Sequence, residues 1–174
     1  RGSQFILGLK ITPPYSLIKG TTDAQYAQMT TSEKYNLLEY HKWKFSGKVF
    51  TPLSADSKLV LMARAEFGYL GHYNKNVKSP FESFYMGGDG MSSYSSYSTE
   101  YIAMRGYQSG SLTPYDPATG RNMGYVYNKF TMELRYPIAL EQNATIWALA
   151  FVEAGNCFAD IRDYNPFKLK RSAG

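Results

Sequence analysis

The chain has 174 residues, of which 44% are hydrophobic and 16% aromatic, and its formal net charge at pH 7 is +5. This length is enough for one domain with its own core, and no apolar run approaches the roughly 18 residues that a membrane-spanning helix needs. The basic residues form no cluster of the kind that binds nucleic acid, and Cys157, His41 and His72 are isolated from one another. The sequence therefore predicts no nucleic-acid partner, no metal site and no cofactor.

Alternation of apolar and polar residues with a period of two predicts β-strands in four segments. A fifth segment is apolar on both faces, so its pattern leaves open which face points to which side. A transmembrane β-barrel is compatible with such strands, because barrel strands alternate and form no long apolar run. The four alternating segments are about 4–12, 42–51, 58–69 and 128–137, and the fifth is 145–158.

Two short and two long connections separate these strands. Short turns at one end and long loops at the other are typical of an outer-membrane barrel, and each strand has about the nine to eleven residues that cross a bilayer at a tilt. In the first long loop, the spacing from Thr30 to Glu33 matches a capping box and predicts a short helix near residues 32–40. The short turns are residues 52–57 and 137–144, and the long loops are residues 13–41 and 71–127.

The polar faces of the strands distinguish two architectures. Lys42, Lys44 and Lys48 share one face of the second strand, and a Lys or Arg that points to lipid at mid-membrane costs roughly 2–4 kcal/mol. In a membrane barrel this face must line a wet interior, whereas in a soluble β-sandwich it would meet bulk water. The unequal loops, the aromatic content and the strand lengths favour the membrane barrel.

Two motifs in the second long loop resemble the C-terminal barrel of the BamA family, the outer-membrane β-barrel assembly factors. The stretch SPFESFYMGGDGM resembles a family segment of the form PF..F..GG, and MRGYQSGSL resembles the family's VRGF-type motif in the sixth extracellular loop. The stretches RGSQFILGLKITPP, FTMELRYPI, ALAFVEAGNCF and KRSAG resemble strands of that barrel, in the same order. The matching loop residues are Pro80, Phe81, Phe84, Gly87, Gly88, Met104, Arg105, Gly106 and Tyr107.

The resemblance implies an all-β fold, an antiparallel transmembrane β-barrel of sixteen strands, of which this chain carries about five. Residues 1–174 would be a fragment of a longer barrel protein, with POTRA domains and more strands before it and three strands after it. The long loop would fold inward, with Arg105 paired to Glu133 and Glu153 on the inner wall. The chain departs from the family at Met104, where Val or Leu is usual, and at Glu153, where Asp is common.

The function implied by the resemblance is assembly and insertion of client outer-membrane β-barrel proteins, without covalent chemistry, in the outer membrane of a Gram-negative bacterium. The implied partners are these clients, accessory assembly lipoproteins and the lipid bilayer. A related translocation pore, of the two-partner secretion or TamA-like kind, shares the loop motif and is an alternative. A soluble, tyrosine-rich, carbohydrate-binding β-sandwich is the alternative from another class.

The charged residues also have simpler interpretations. An Arg105 in a solvated loop would contribute only about 0–1 kcal/mol through an ion pair. Glu133 and Glu153 could form the carboxylate pair of a glycosidase, but an arginine between them would keep both ionised. The sequence therefore predicts no enzyme activity.

Overall fold

A computed structural model describes residues 2–36, 38–74, 78–91, 99–117, 120–140 and 145–174 of the chain. Its main feature is a six-stranded sheet, accompanied by two pairs of very short strands. In chain order the strands are β1 (Gly2–Ile11), β2 (His41–Pro52), β3 (Val60–Gly71), β4 (Phe84–Met86), β5 (Glu100–Ile102), β6 (Tyr115–Asp116), β7 (Arg121–Asn122), β8 (Val126–Leu140), β9 (Thr145–Phe158) and β10 (Lys170–Ala173). The main sheet has the order β1-β2-β3-β8-β9-β10, and all its neighbouring strands are antiparallel.

Strand β8 extends further than its alternation predicted. It continues to Leu140, and its register with β9 shifts between Pro137 and Ala139. Such a bulge accommodates proline, which has no N–H to give to the ladder. The turn predicted at residues 137–144 is therefore wrong at its start, while residues 141–144 lie outside the described part of the chain.

Exposed apolar side chains cover one face of the main sheet. On β8, Phe130, Met132 and Leu134 are 43%, 53% and 42% exposed. Thr131 and Glu133, which point to the opposite face, are 1% and 5% exposed. Soluble sheets show the reverse pattern, whereas a barrel in lipid places apolar residues outward and polar residues inward. The facing predicted for β8 is confirmed.

The facing of residues 145–154, which the sequence left open, follows from Glu153. This carboxylate is 1% exposed and lies opposite Thr131 in the β8–β9 register. Alternation then places Trp147 and Leu149 on the same face of β9. These two side chains are about half exposed, whereas Glu153 is buried. This face of β9 is therefore charged and covered at Glu153, and apolar and uncovered at Trp147 and Leu149, nearer the short turn.

Three short helices occupy the first long loop: α1 (Tyr15–Lys19), α2 (Asp23–Gln28) and α3 (Thr31–Lys34). The predicted capping box at α3 is present, since Thr30 N donates to Glu33 Oε2 at 2.8 Å and Glu33 N donates to Thr30 Oγ1 at 3.4 Å. No helix in the described part of the chain is long and apolar enough to cross a membrane.

The helix predicted near residues 32–40 is wrong in extent, because α3 ends at Lys34. Further along, Glu39 is 6% exposed and accepts a hydrogen bond from Ser16 Oγ at 2.6 Å. The segment around Glu39 is therefore tied to α1 instead of continuing α3. Leu37 lies outside the described residues.

The hydrophobic core lies between the main sheet and the second long loop, on the face of the sheet called the inner face below. Although its composition is typical of a solvated loop, this loop contributes fully buried side chains. The described strands form one main sheet and not the two stacked sheets of a sandwich. The buried core residues are Leu70, Phe84, Met86, Ile102, Met104, Met123, Tyr125, Tyr127 and Cys157.

Candidate functional site

The guanidinium of Arg105 contacts two buried carboxylates of the inner face. Arg105 Nη2 donates to Glu133 Oε1 at 2.6 Å and to Glu153 Oε1 at 2.7 Å, and Nε donates to Glu153 Oε1 at 3.0 Å. The backbone N–H of Arg105 donates to Glu153 Oε2 at 2.9 Å. These three residues, called the arginine latch below, thus join a loop to two strands through a planar fork that lysine cannot reproduce.

The strands bring the two carboxylates together. Glu153 lies opposite Thr131 and Glu133 lies opposite Phe151, so the two glutamates are diagonal neighbours on adjacent strands. Glu133 is 5% exposed and Glu153 is 1% exposed. Two neighbouring buried carboxylates require compensating cations, and Arg105 reaches both of them.

Two more cations, which no motif of the sequence indicates, complete the charge compensation. Lys129 Nζ lies 3.1 Å from Glu153 Oε1 and donates to the Ala103 carbonyl at 2.5 Å. Arg135 Nε donates to Glu133 Oε2 at 2.9 Å. Their signal in the sequence is position, because both share the face of β8 that carries Glu133.

The turn that carries Arg105 rests on strand β10 and on Phe151. The guanidinium carbon lies 3.7 Å from the centroid of the Phe151 ring, a favourable cation–π geometry. Tyr107 OH donates to the Arg171 carbonyl at 2.8 Å. Gly106 has φ +82°, and a Cβ there would lie 3.2 Å from Ser172 Cβ, so both backbone conformation and space favour glycine.

The two loop motifs contact each other through their backbones. Met104 N donates to the Gly88 carbonyl at 2.8 Å, and Gly88 N donates to the Tyr107 carbonyl at 3.0 Å. Gly87 has φ +126°, and a Cβ there would lie 2.4 Å from the Gln108 carbonyl oxygen. The adjacent glycines therefore allow the first motif to lie against the turn that carries Arg105.

The remaining residues of the first motif anchor it to the core to different degrees. Phe84 is completely buried, and its ring centroid lies 4.7 Å from that of Tyr127. Pro80 and Phe81 are half-buried, and Phe81 N donates to Ser79 Oγ at 3.2 Å. Phe84 thus fixes the loop to the sheet, while Pro80 and Phe81 lie where the segment begins.

The arrangement suits the holding of a loop better than acid–base chemistry. A glycosidase pair needs two carboxylates in unequal environments with room for substrate. Here both Glu133 and Glu153 form ion pairs with neighbouring cationic side chains. Within the described residues, no group of His, Cys, Asp and Glu side chains is suited to hold a metal ion.

Comparison with known proteins places these features in a family. A family model described as the Omp85 superfamily domain matches residues 20–173. The crystal structure of BamA from Haemophilus ducreyi lacking POTRA domains 1-3 is similar, with a TM-score of 0.55 and 18% identity over 78% of this chain. The match covers 28% of that protein's chain, so the present chain spans about a quarter of its length. Comparison with curated protein sequences gives no match.

Proposed function

Because this chain belongs to the Omp85 superfamily, we propose that it is part of a BamA-like barrel that folds and inserts client β-barrel proteins into the outer membrane of a Gram-negative bacterium. The observation that carries the proposal is the arginine latch, in which a long loop is bonded to two buried carboxylates of the inner face. The exposed apolar face of the sheet supports a location in lipid.

The proposed mechanism is non-covalent. The barrel wall would perturb the bilayer locally and offer strand pairing to an incoming client, with accessory assembly lipoproteins as further partners. The part contributed by this chain is the seated loop, because the arginine latch bonds the loop to β8 and β9 and Tyr107 bonds it to β10. Releasing the loop should therefore loosen the barrel that performs the insertion.

The experiment replaces Arg105 in the full-length protein, in cells that depend on this copy. We expect Arg105→Ala to lower the temperature at which the barrel unfolds in a gel heat-shift assay, and to lower the amount of client barrels in the outer membrane. Removing one partner of a buried ion pair costs at most about 3–5 kcal/mol, and Lys129 and Arg135 remain beside the two carboxylates. The matched control is Arg162→Ala, since Arg162 is exposed in the 3-10 helix Ile161–Asp163 and does not belong to the latch.

Two outcomes would contradict this account. A normal heat shift with Arg105→Ala would show that the arginine latch does not stabilise the barrel. Export of a soluble passenger without any acceleration of client folding, measured with the full-length protein in liposomes, would show a translocation pore of the two-partner secretion or TamA-like kind.

A further inference from the structure

Lys42 carries a buried ammonium group on the inner face of β2, which is separated from β8 of the arginine latch by β3. The residue is 1% exposed. Its Nζ donates to the Glu82 carbonyl at 2.8 Å and to Glu82 Oε2 at 3.0 Å, and it lies 2.9 Å from Glu100 Oε2. All three ammonium donors therefore have acceptors, and each acceptor belongs to the second long loop.

Two further lysines complete this cluster. Lys10 Nζ lies 3.1 Å from Glu82 Oε2, and Lys44 forms an ion pair with Glu100. Lys42 Nζ also lies 4.8 Å from the centroid of the Phe84 ring, next to the buried start of β4. The cluster, called the lysine clasp below, consists of Lys10, Lys42, Lys44, Glu82 and Glu100.

The backbone at Glu82 is adapted to this contact. Glu82 has φ +65° although it is not glycine, a conformation that costs energy and persists only where surrounding contacts maintain it. In this conformation one residue presents both its carbonyl and its carboxylate to Lys42. The two hydrogen bonds from Lys42 therefore offset the cost of the left-handed backbone at Glu82.

The lysine clasp and the arginine latch have opposite charge polarity and lie on different pairs of strands of the inner face, β1–β2 and β8–β9, with β3 between them. In the arginine latch the loop supplies the cation and the strands β8 and β9 supply carboxylates. In the lysine clasp the loop supplies the carboxylates and β1 and β2 supply cations. A loop shifted across the sheet would place Arg105 beside the lysines of β1 and β2, or its own glutamates beside those of β8 and β9. Because like charges repel, both arrangements are unfavourable.

We propose that the lysine clasp is a second, separately releasable attachment site of the loop, and that the reversed polarity fixes the position of the loop across the sheet. The loop is then bonded to β1–β2 and to β8–β10 of the six-stranded sheet, and loss of Arg105 releases only its attachment at β8–β10. This attachment does not depend on whether the complete barrel inserts clients or transports them.

The test uses buried positions near each site as cysteine reporters in the full-length protein in outer-membrane vesicles. Ser83, next to Glu82, is 1% exposed, and Met104, next to Arg105, is completely buried. Labelling of Ser83→Cys and Met104→Cys by a maleimide measures how often each site opens, after subtraction of the labelling of the parent protein. The releasing variants are Lys42→Met and Arg105→Ala. The matched control is Lys48→Met, on the same face of β2 and half-buried.

We expect Lys42→Met to accelerate labelling of Ser83→Cys at least about tenfold, which corresponds to about 1.4 kcal/mol, and to leave Met104→Cys unchanged. Arg105→Ala should have the opposite selectivity, and Lys48→Met should change neither rate. Equal labelling of Ser83→Cys with Lys42→Met and with Lys48→Met would overturn the lysine clasp. Opening of both reporters together in either releasing variant would overturn the separateness of the two sites. Since the readout is labelling and not assembly activity, its failure is distinct from failure of the proposed function.

Discussion

The guanidinium carbon of Arg105 lies 3.7 Å from the centroid of the Phe151 ring. Arg105 is therefore held by an aromatic face as well as by the carboxylates of Glu133 and Glu153. The aromatic contact orients the plane of the guanidinium, and the carboxylates occupy its edge. The two kinds of contact can be separated by substitution.

Phe151→Leu should weaken the latch without changing its charge. The leucine keeps most of the apolar volume but removes the ring, so we expect a loss of about 0.5–2 kcal/mol and a lower heat-shift temperature. Phe130→Leu is the control, because Phe130 is 43% exposed on the opposite face. Equal effects of the two substitutions would mean that the stacking contributes nothing.

Gly106→Ala should destabilise the turn that carries Arg105. A left-handed backbone costs an L-residue roughly 1–2 kcal/mol, and the new Cβ would lie 3.2 Å from Ser172 Cβ. The heat-shift temperature of the full-length protein reports the loss. Gly2→Ala serves for comparison, since a Cβ at Gly2 meets nothing within 4 Å. A Gly106→Ala protein as stable as Gly2→Ala would show that this turn can adopt another conformation.

Met132→Arg should prevent stable assembly in the membrane. Met132 is 53% exposed on the outward face, and an arginine facing lipid costs roughly 2–4 kcal/mol. Leu149→Arg makes the same change at a site that is 47% exposed on the inner face, where repulsion from the opposite Arg135 costs at most about 1 kcal/mol. The amount of each variant in the outer-membrane fraction is the measurement. Equal amounts would contradict a lipid-facing surface.

The lysine clasp should weaken in acid. Burial acts to raise the pKa of Glu82 and of Glu100, but hydrogen bonds from the surrounding lysines outweigh it and lower both. The charged groups around them are Lys10, Lys42 and Lys44, with the Tyr40 hydroxyl also nearby. A carboxyl whose pKa is lowered by folding stabilises the folded protein fully above the unfolded pKa, about 4.3, and loses this contribution as the pH falls through the folded pKa.

The measurement for this prediction is the difference in heat-shift temperature between the parent and the double variant Glu82→Gln, Glu100→Gln. We expect a clear difference at neutral pH that shrinks as the pH falls below about 4.3. A difference that stays constant over this range would mean that the two carboxylates do not stabilise the loop through their charge.

Sequence patterns predicted the strands that have one buried and one exposed apolar face. The alternation of β8 placed Glu133 inward because Phe130, Met132 and Leu134 are consistently apolar. The facing of β9 was left open for a physical reason: Trp147 and Leu149 are inner-face residues in a region that the described loop leaves half exposed. An apolar inner face removes the contrast on which alternation depends.

Contacts between distant segments were harder to predict. Lys42 looked like any lysine on a polar face, and its partner Glu82 lies 40 residues away in the chain. Only the resemblance of the MRGY motif connected Arg105 to Glu133 and Glu153, since nothing local to those residues indicates their pairing. The helices of the first long loop have six residues or fewer, too short for a helical period to be recognised.

The Glu153 carboxylate has two contacts that do not involve the Arg105 side chain, so truncation of that side chain does not remove them. Its Oε2 accepts from the main-chain N–H of Arg105 at 2.9 Å, and its Oε1 lies 3.1 Å from the ammonium of Lys129. An alanine at position 105 keeps the first bond, whereas an alanine at position 153 leaves the Arg105 N–H without this acceptor and the buried Lys129 ammonium without this counter-ion. Substitution of Glu153 on strand β9 therefore removes more of this contact than substitution of the Arg105 side chain in the loop.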